Sequence, residues 1–185
     1  MFPPEKHEGM GRRESPLKLI IAVIGGSDAT PRVWAIAKEV GRELAIREVA
    51  VVCGGLTGVM EAVCIGAKEV GGSTICILPG SDPRQANPYV DVPICTAMGY
   101  ARNVAVVLTG RAVIAVDGSY GTLSEIGHAL AEDVPVIGLD TWGLARNGLD
   151  DSRIIVATDA TDAVAKAIAA AHIRDSGQLS GYCTP

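Results

Sequence analysis

Between residues 17 and 174 the chain alternates short, almost wholly apolar runs with longer stretches whose apolar positions recur at helical spacing. The first run, LKLIIAVI at 17–24, is rich in β-branched residues, the pattern of a parallel strand covered on both faces. Thr30-Pro31 then offers an N-cap followed by a good first helical residue, which predicts a helix to about Ile46. The same reading predicts strands at 49–53, 73–78, 92–95, 112–116, 135–139 and 153–157, and helices at 59–70, 122–132 and 161–173, with 81–91 a proline-bearing loop. Residues 98–109 are ambiguous, because VAVVL also suits a strand that could pair with 112–116 as a hairpin. A parallel sheet needs a crossover at that point, so the segment is read as a helix. This alternation implies βαβ units, and the fold class is α/β: a three-layer Rossmann-like domain with a mostly parallel sheet of about seven strands.

A chain of 185 residues fits one such domain. Its ends, 1–16 and 175–185, mix proline, glycine and both charge signs without periodicity, and they are read as flexible tails around a domain at 17–174. The net charge of -5 argues against nonspecific binding to nucleic acid or to an anionic membrane, since both call for a basic surface. With two Trp, four Tyr and one Phe, the chain is also poor in the rings of a single-strand stacking platform. The first residues lack the apolar segment of a secretory signal and no uncharged run reaches the ~18 residues of a membrane span, so a cytoplasmic protein is expected. Cys53, Cys64, Cys76, Cys95 and Cys183 are odd in number, widely spaced and without a C-x-x-C pair. They read as reduced core residues, and with His7, His128 and His172 scattered no metal site is expected.

The glycines change the picture. Three glycine-bearing turns, Gly25-Gly26-Ser27, Gly54-Gly55 with Gly58, and Gly118 with Gly121, follow predicted parallel strands. They fall on the carboxyl edge, where open α/β sheets bind ligands. Glycine lets backbone N–H groups approach a phosphate, and a helix N-terminus adds free donors and a favourable dipole. The Gly-x-Gly-x-x-Gly fingerprint does not follow the first strand, and no glycine is followed by Lys-Ser or Lys-Thr, which disfavours a dehydrogenase and a P-loop.

The run Asp117-Gly118-Ser119-Tyr120-Gly121-Thr122-Leu123-Ser124-Glu125, with Arg102-Asn103 and Gly54-Gly55-Leu56-Thr57-Gly58-Val59-Met60 upstream, resembles the LOG-like Rossmann superfamily. That group includes nucleoside-monophosphate phosphoribohydrolases, proteins long mislabelled lysine decarboxylases, and molybdenum-cofactor carrier proteins. The resemblance spans about residues 19–140, and the stretches GYARN and GTLSEI look most like the carrier branch. It implies a protein that binds a phosphorylated heterocycle, either a nucleotide or the pterin phosphate of molybdenum cofactor, with no further cofactor required. Gly118, Ser119, Gly121 and Thr122 would then hold phosphate, with Gly26, Ser27, Gly54, Gly55 and Gly58 shaping the rest of the site. It also implies a homo-oligomer, a dimer or a tetramer.

The competing implication is a phosphoribohydrolase that breaks an N-glycosidic bond, with Arg102 and Glu125 as its catalytic pair. Against the motif Pro-Gly-Gly-x-Gly-Thr-x-x-Glu with upstream Arg-Lys, Gly118, Gly121, Thr122, Glu125 and Arg102 match. Asp117 stands for the proline, Ser119 for the second glycine and Asn103 for the lysine. Plainer roles compete for the same residues. Thr122-x-x-Glu125 fits a capping box, and Arg102 fits a solvated helix residue. Met98 and Tyr100 are placed either in a ring pocket or in simple packing, His128 on the surface or at a partner contact, and Trp34 and Trp142 in the core or an interface.

Overall fold

The structure is a computed structural model that describes residues 18–176. The tails expected at 1–16 and 175–185 lie outside the described residues, apart from Asp175 and Ser176, which close the last helix. Seven strands form one parallel sheet: β1 (Ile20–Gly25), β2 (Ala50–Cys53), β3 (Thr74–Leu78), β4 (Val92–Cys95), β5 (Val113–Val116), β6 (Val136–Leu139) and β9 (Ile154–Val156). Their order across the sheet is β4-β3-β2-β1-β5-β6-β9. The chain therefore builds outward from β1 on one side, crosses back, and builds outward from β5 on the other. The reversal between β1 and β5, whose register runs from Ala22↔Val113 to Gly25↔Val116, opens a crevice at the carboxyl ends of the strands.

Five helices cover the two faces: α1 (Pro31–Ile46), α2 (Val59–Glu69), α3 (Asn103–Thr109), α4 (Tyr120–Ala131) and α5 (Ala160–Asp175). Because strand side chains alternate, β1 sends Ile21 and Val23 into the layer under α1, α2 and α5, and Ala22 and Ile24 into the layer under α3 and α4. β5 divides in the same way, with Ile114 and Val116 on the first face and Val113 and Ala115 on the second. Both faces of these strands are fully buried, which is why their sequences read as continuous apolar runs. The expected three-layer α/β class and parallel sheet are thus found.

Helix α1 starts where Thr30 accepts a 3.3 Å hydrogen bond from the Val33 amide, and it buries Val33, Ala37, Val40, Gly41 and Leu44 along one stripe. It packs on α2 with backbones in contact. A β-carbon on Gly66 would lie 1.8 Å from the Lys38 carbonyl oxygen, and one on Gly41 would lie 2.0 Å from that of Val63.

Three local expectations are corrected. Residues 98–109 begin as a 3₁₀ turn at Gly99–Arg102 and only then become α3, so the crossover is a shorter helix than predicted. Helix α4 starts at Tyr120 with Ser119 as N-cap, two residues before the expected start. A two-stranded antiparallel hairpin, β7 (Leu144–Arg146) and β8 (Leu149–Asp151), was not expected. Its turn is Asn147-Gly148 with φ of 55° and 77°, the left-handed pair that a two-residue hairpin turn requires.

Candidate functional site

A cleft of about 230 Å³ opens at the β1/β5 reversal. Gly26 and Ser27 reach it from the end of β1, Gly54 from the end of β2, and Ser119, Gly121 and Thr122 from the start of α4. Arg102 and Glu125 complete the wall. Strand order accounts for this convergence, since three strand-to-helix turns distant in sequence leave adjacent central strands on the same edge.

Gly55, Gly58 and Gly118, expected beside the ligand, do not line the cleft. Gly55 turns inward against Cys76, while its carbonyl accepts from the Asn87 backbone at 2.9 Å and side chain at 3.2 Å. Gly58 packs on the Gly26-Ser27 backbone, and the following amide, Val59 N–H, donates to the Gly26 carbonyl at 3.0 Å. Gly118 has φ +113°, and a β-carbon there would stand 2.4 Å from the Thr122 side chain. All three hold the loops that shape the cleft. Leu56, Met60, Tyr100 and Asn103 line it as well and were not predicted as ligand residues, with Tyr100 left open between a pocket and simple packing. The signal for them lay in the GGLTGVM and GYARN stretches already singled out.

Arg102 ends the 3₁₀ turn and is buried, with 8% of its side chain exposed, so it is not the solvated helix residue that one reading allowed. Its Nη1 donates to Asn103 Oδ1 and lies 3.6 Å from Glu125 Oε1, and its Nη2 reaches the Gly54 carbonyl at 3.5 Å. Nε is buried with no hydrogen-bond partner among the described residues. Burial holds the Arg102 guanidinium below its ordinary range, and the opposing pull comes first from Glu125.

Glu125 faces this guanidinium instead of the helix start. The capping-box reading is corrected for a geometric reason: with Ser119 at the N-cap, Thr122 and Glu125 fall inside α4 and are buried. Desolvation raises the Glu125 carboxyl to about 7, and Arg102 only partly offsets that. At neutral pH the group is poised between its protonated and charged forms.

The start of α4 is suited to an anion. Ser119 makes no side-chain cap bond, the first turn carries no acidic residue, and the first N–H groups of a helix lack intrahelical partners. Asp117 holds φ +50° just before the turn, its N–H donating to Leu139 at 3.2 Å and its carbonyl accepting from Thr141 Oγ1 at 2.5 Å. Trp142 is half-buried, donates Nε1–H to the Ser119 carbonyl at 3.3 Å, and lies 5.7 Å from the Tyr120 ring, so it braces the turn from outside. Trp34 is half-buried on α1 with Lys38 Nζ 5.9 Å from its ring centroid. His128 and Met98 are exposed and do not line the cleft, whereas Tyr100, 89% exposed, stands at its rim.

The widely spaced cysteines are the other surprise. Cys53, Cys64 and Cys76 bring their sulfurs together in the core, with Cys53 Sγ 3.7 Å from Cys64 Sγ and 3.4 Å from Cys76 Sγ. These three are free core residues as expected, whereas Cys95, on the edge strand β4, is exposed; strand pairing puts Cys53 directly opposite Cys76 and α2 lays Cys64 over both.

Known proteins are similar to this chain in sequence and fold. An uncharacterized protein of Archaeoglobus fulgidus is 43% identical over 119 residues, covering 64% of this chain and 78% of that protein. The molybdenum cofactor binding protein of the phototrophic bacterium Rippkaea orientalis superposes with a TM-score of 0.74 at 32% identity, over 82% of this chain and 96% of that one. The molybdenum cofactor carrier protein of Chlamydomonas reinhardtii superposes with a TM-score of 0.73 at 32% identity, over 83% and 98%. These neighbours agree with the LOG-like resemblance and its carrier branch. The SLOG cluster4 family model matches residues 18–171, nearly all that the structure describes, and the chain belongs to that family.

Proposed function

We propose that this protein binds a phosphorylated heterocycle in the β1/β5 cleft, as a carrier for a pterin phosphate of the molybdenum-cofactor class. The observation that carries the reading is the pairing of the unblocked α4 N-terminus with Arg102, whose buried Nε has no partner among the described residues, in one cleft at the strand-order reversal. Two solved structures at 32% identity named for that cofactor support the choice of ligand. The phosphate sits at the first turn of α4, where the N–H groups of Tyr120, Gly121 and Thr122 point outward along the axis. Arg102 supplies the fixed positive charge. Leu56, Met60 and Tyr100 give an apolar side for the ring. At about 230 Å³ the cleft is smaller than the ~300–1,000 Å³ of typical small-molecule sites, so it takes the phosphate end while the ring lies over the rim near Tyr100.

A second reading rests on one observation, the buried Glu125 beside Arg102. As a carboxylate it would stabilise the positive charge that develops on ribose as the N-glycosidic bond of a nucleoside 5'-monophosphate breaks, with water adding its OH to C1' and its proton to the base, giving free base and ribose 5-phosphate. One experiment separates the two. The purified chain is examined by native mass spectrometry with and without added molybdenum cofactor, and in parallel is incubated with AMP, GMP, CMP and UMP. Retention of the pterin with no release of base is expected. Release of base that disappears in Glu125→Gln would establish the hydrolase and overturn the carrier.

No helix among the described residues is long and apolar enough to cross a membrane. The proposed ligand is a small molecule, and the proposed assembly is a homo-oligomer. Val92, Ile94, Met98 and Tyr100, exposed along the β4 edge and beyond it, favour association. Light scattering that gives only a 19.1 kDa species at micromolar concentration would refute the oligomer.

A further inference from the structure

The three convergent sulfurs lie outside the proposed ligand's contacts and call for their own account. Cys53 ends β2, Cys76 pairs with it on β3, and Cys64 comes from the middle of α2, so three separate elements direct a thiol to one point. The three sulfurs all lie within 4.8 Å of one another, and each residue has 0% exposure. Free cysteine is a common small core residue, and three buried thiols by themselves would be ordinary packing. Here, however, they face each other instead of three different apolar neighbours.

The geometry points to a trithiolate site for one soft, low-coordinate metal ion of the Cu(I) class, held by Cys53, Cys64 and Cys76 beneath the floor of the cleft. An ion at the centre of a flat triangle, with metal–sulfur bonds of about 2.3 Å, needs sulfurs about 4 Å apart. The Cys53–Cys76 and Cys53–Cys64 pairs, at 3.4 and 3.7 Å, reach that spacing with small side-chain rotations. The donor set decides the class of ion. Among the described residues no His, Asp, Glu or further Cys joins the group. Zinc in a structural site takes four ligands, whereas an all-thiolate set without a fourth donor suits a softer ion.

Charge and access are also provided for. Binding releases thiol protons to solvent and leaves negative charge on sulfur. The Arg102 guanidinium, on which Glu125 acts most strongly, is also within the electrostatic reach of Cys53 and Cys76. The lid over the sulfurs is glycine backbone. Gly54 lines the cleft, and the missing β-carbon of Gly55 would lie 2.6 Å from Cys76 Cβ and 3.3 Å from its Sγ. The Gly54-Gly55 loop therefore lies between the cleft and Cys76.

The test uses the full chain carrying Cys95→Ser and Cys183→Ser, which leaves only the three buried cysteines. Reduced anaerobic protein is titrated with Cu(I) against a chromophoric Cu(I) chelator, and the loaded protein is examined by X-ray absorption. The expected result is one equivalent per chain, with three sulfur neighbours at about 2.3 Å and no nitrogen or oxygen shell. Cys64→Ala in the same background should weaken binding by more than about tenfold. Circular dichroism confirms that this variant is folded. If it is not, the sulfur count of the parent decides alone. Affinity unchanged by Cys64→Ala in a folded variant, a mixed sulfur and nitrogen shell, or no binding tighter than that of free thiols overturns the site.

Discussion

Replacing Glu125 by glutamine tests the electrostatics of the cleft without emptying it. In the native chain burial raises this carboxyl from 4.5 to about 7, so between those values the folded state keeps a proton that the unfolded chain has lost. Stability then falls as pH rises through that window, because the slope of unfolding free energy with pH has the sign of protons bound unfolded minus protons bound folded. At 1.36 kcal/mol per unit the whole effect is about 3 kcal/mol, most favourable below 4.5 and lost above 7. Glutamine fills nearly the same volume and does not titrate. Other groups, among them Asp91, which pairs with Lys68 at 2.7 Å, contribute equally to both proteins and cancel in the difference. The assay is urea unfolding of the native chain and Glu125→Gln at several pH values from 4.5 to 8. The glutamine variant should gain about 3 kcal/mol relative to the native chain across that range. A flat difference would mean that the carboxyl is not desolvated. A native chain that gains on the variant as pH rises would mean that attraction to Arg102 outweighs burial, and either result refutes the reasoning.

Gly66→Ala, which would place a methyl 1.8 Å from the Lys38 carbonyl oxygen, should cost about 2–3 kcal/mol in urea unfolding by forcing α1 and α2 apart. Gly127→Ala, at an exposed position of α4 with nothing within 4 Å, should instead stabilise by about 0.5–1 kcal/mol, and equal effects at the two sites would refute the helix contact. Gly118→Ala, at φ +113° and against Thr122, should cost about 2 kcal/mol and weaken ligand retention in native mass spectrometry; an unchanged melting midpoint would refute it. Thr30→Ala removes the cap bond to Val33 and should cost about 1 kcal/mol by thermal or urea unfolding.

Most of the elements, and the sheet edge that carries the cleft, are legible in short stretches of the chain. LKLIIAVI, VVC and the runs at 112–116 and 135–139 are continuous because both faces of those strands are covered, and that burial is written into each residue. Thr30-Pro31 located the start of α1 because a cap acts over three residues. Asn147-Gly148 carries an equally local signal for the hairpin. Which turn residues face the cleft and which face the core depends on packing between distant segments. Gly55, Gly58 and Gly118 look like their neighbours in sequence, yet they turn inward because a neighbouring loop or helix presses against each. Thr122 and Glu125 have capping-box spacing, but Ser119 is the N-cap of α4, and the carboxyl points to an arginine on the preceding crossover. The convergence of Cys53, Cys64 and Cys76 depends on the register of β2 against β3 and on the seat of α2 over both. Backbone propensity and periodicity act over a few residues, and so they are legible along the chain. Contacts between residues tens of positions apart exist only once strand order and helix packing have brought those positions together.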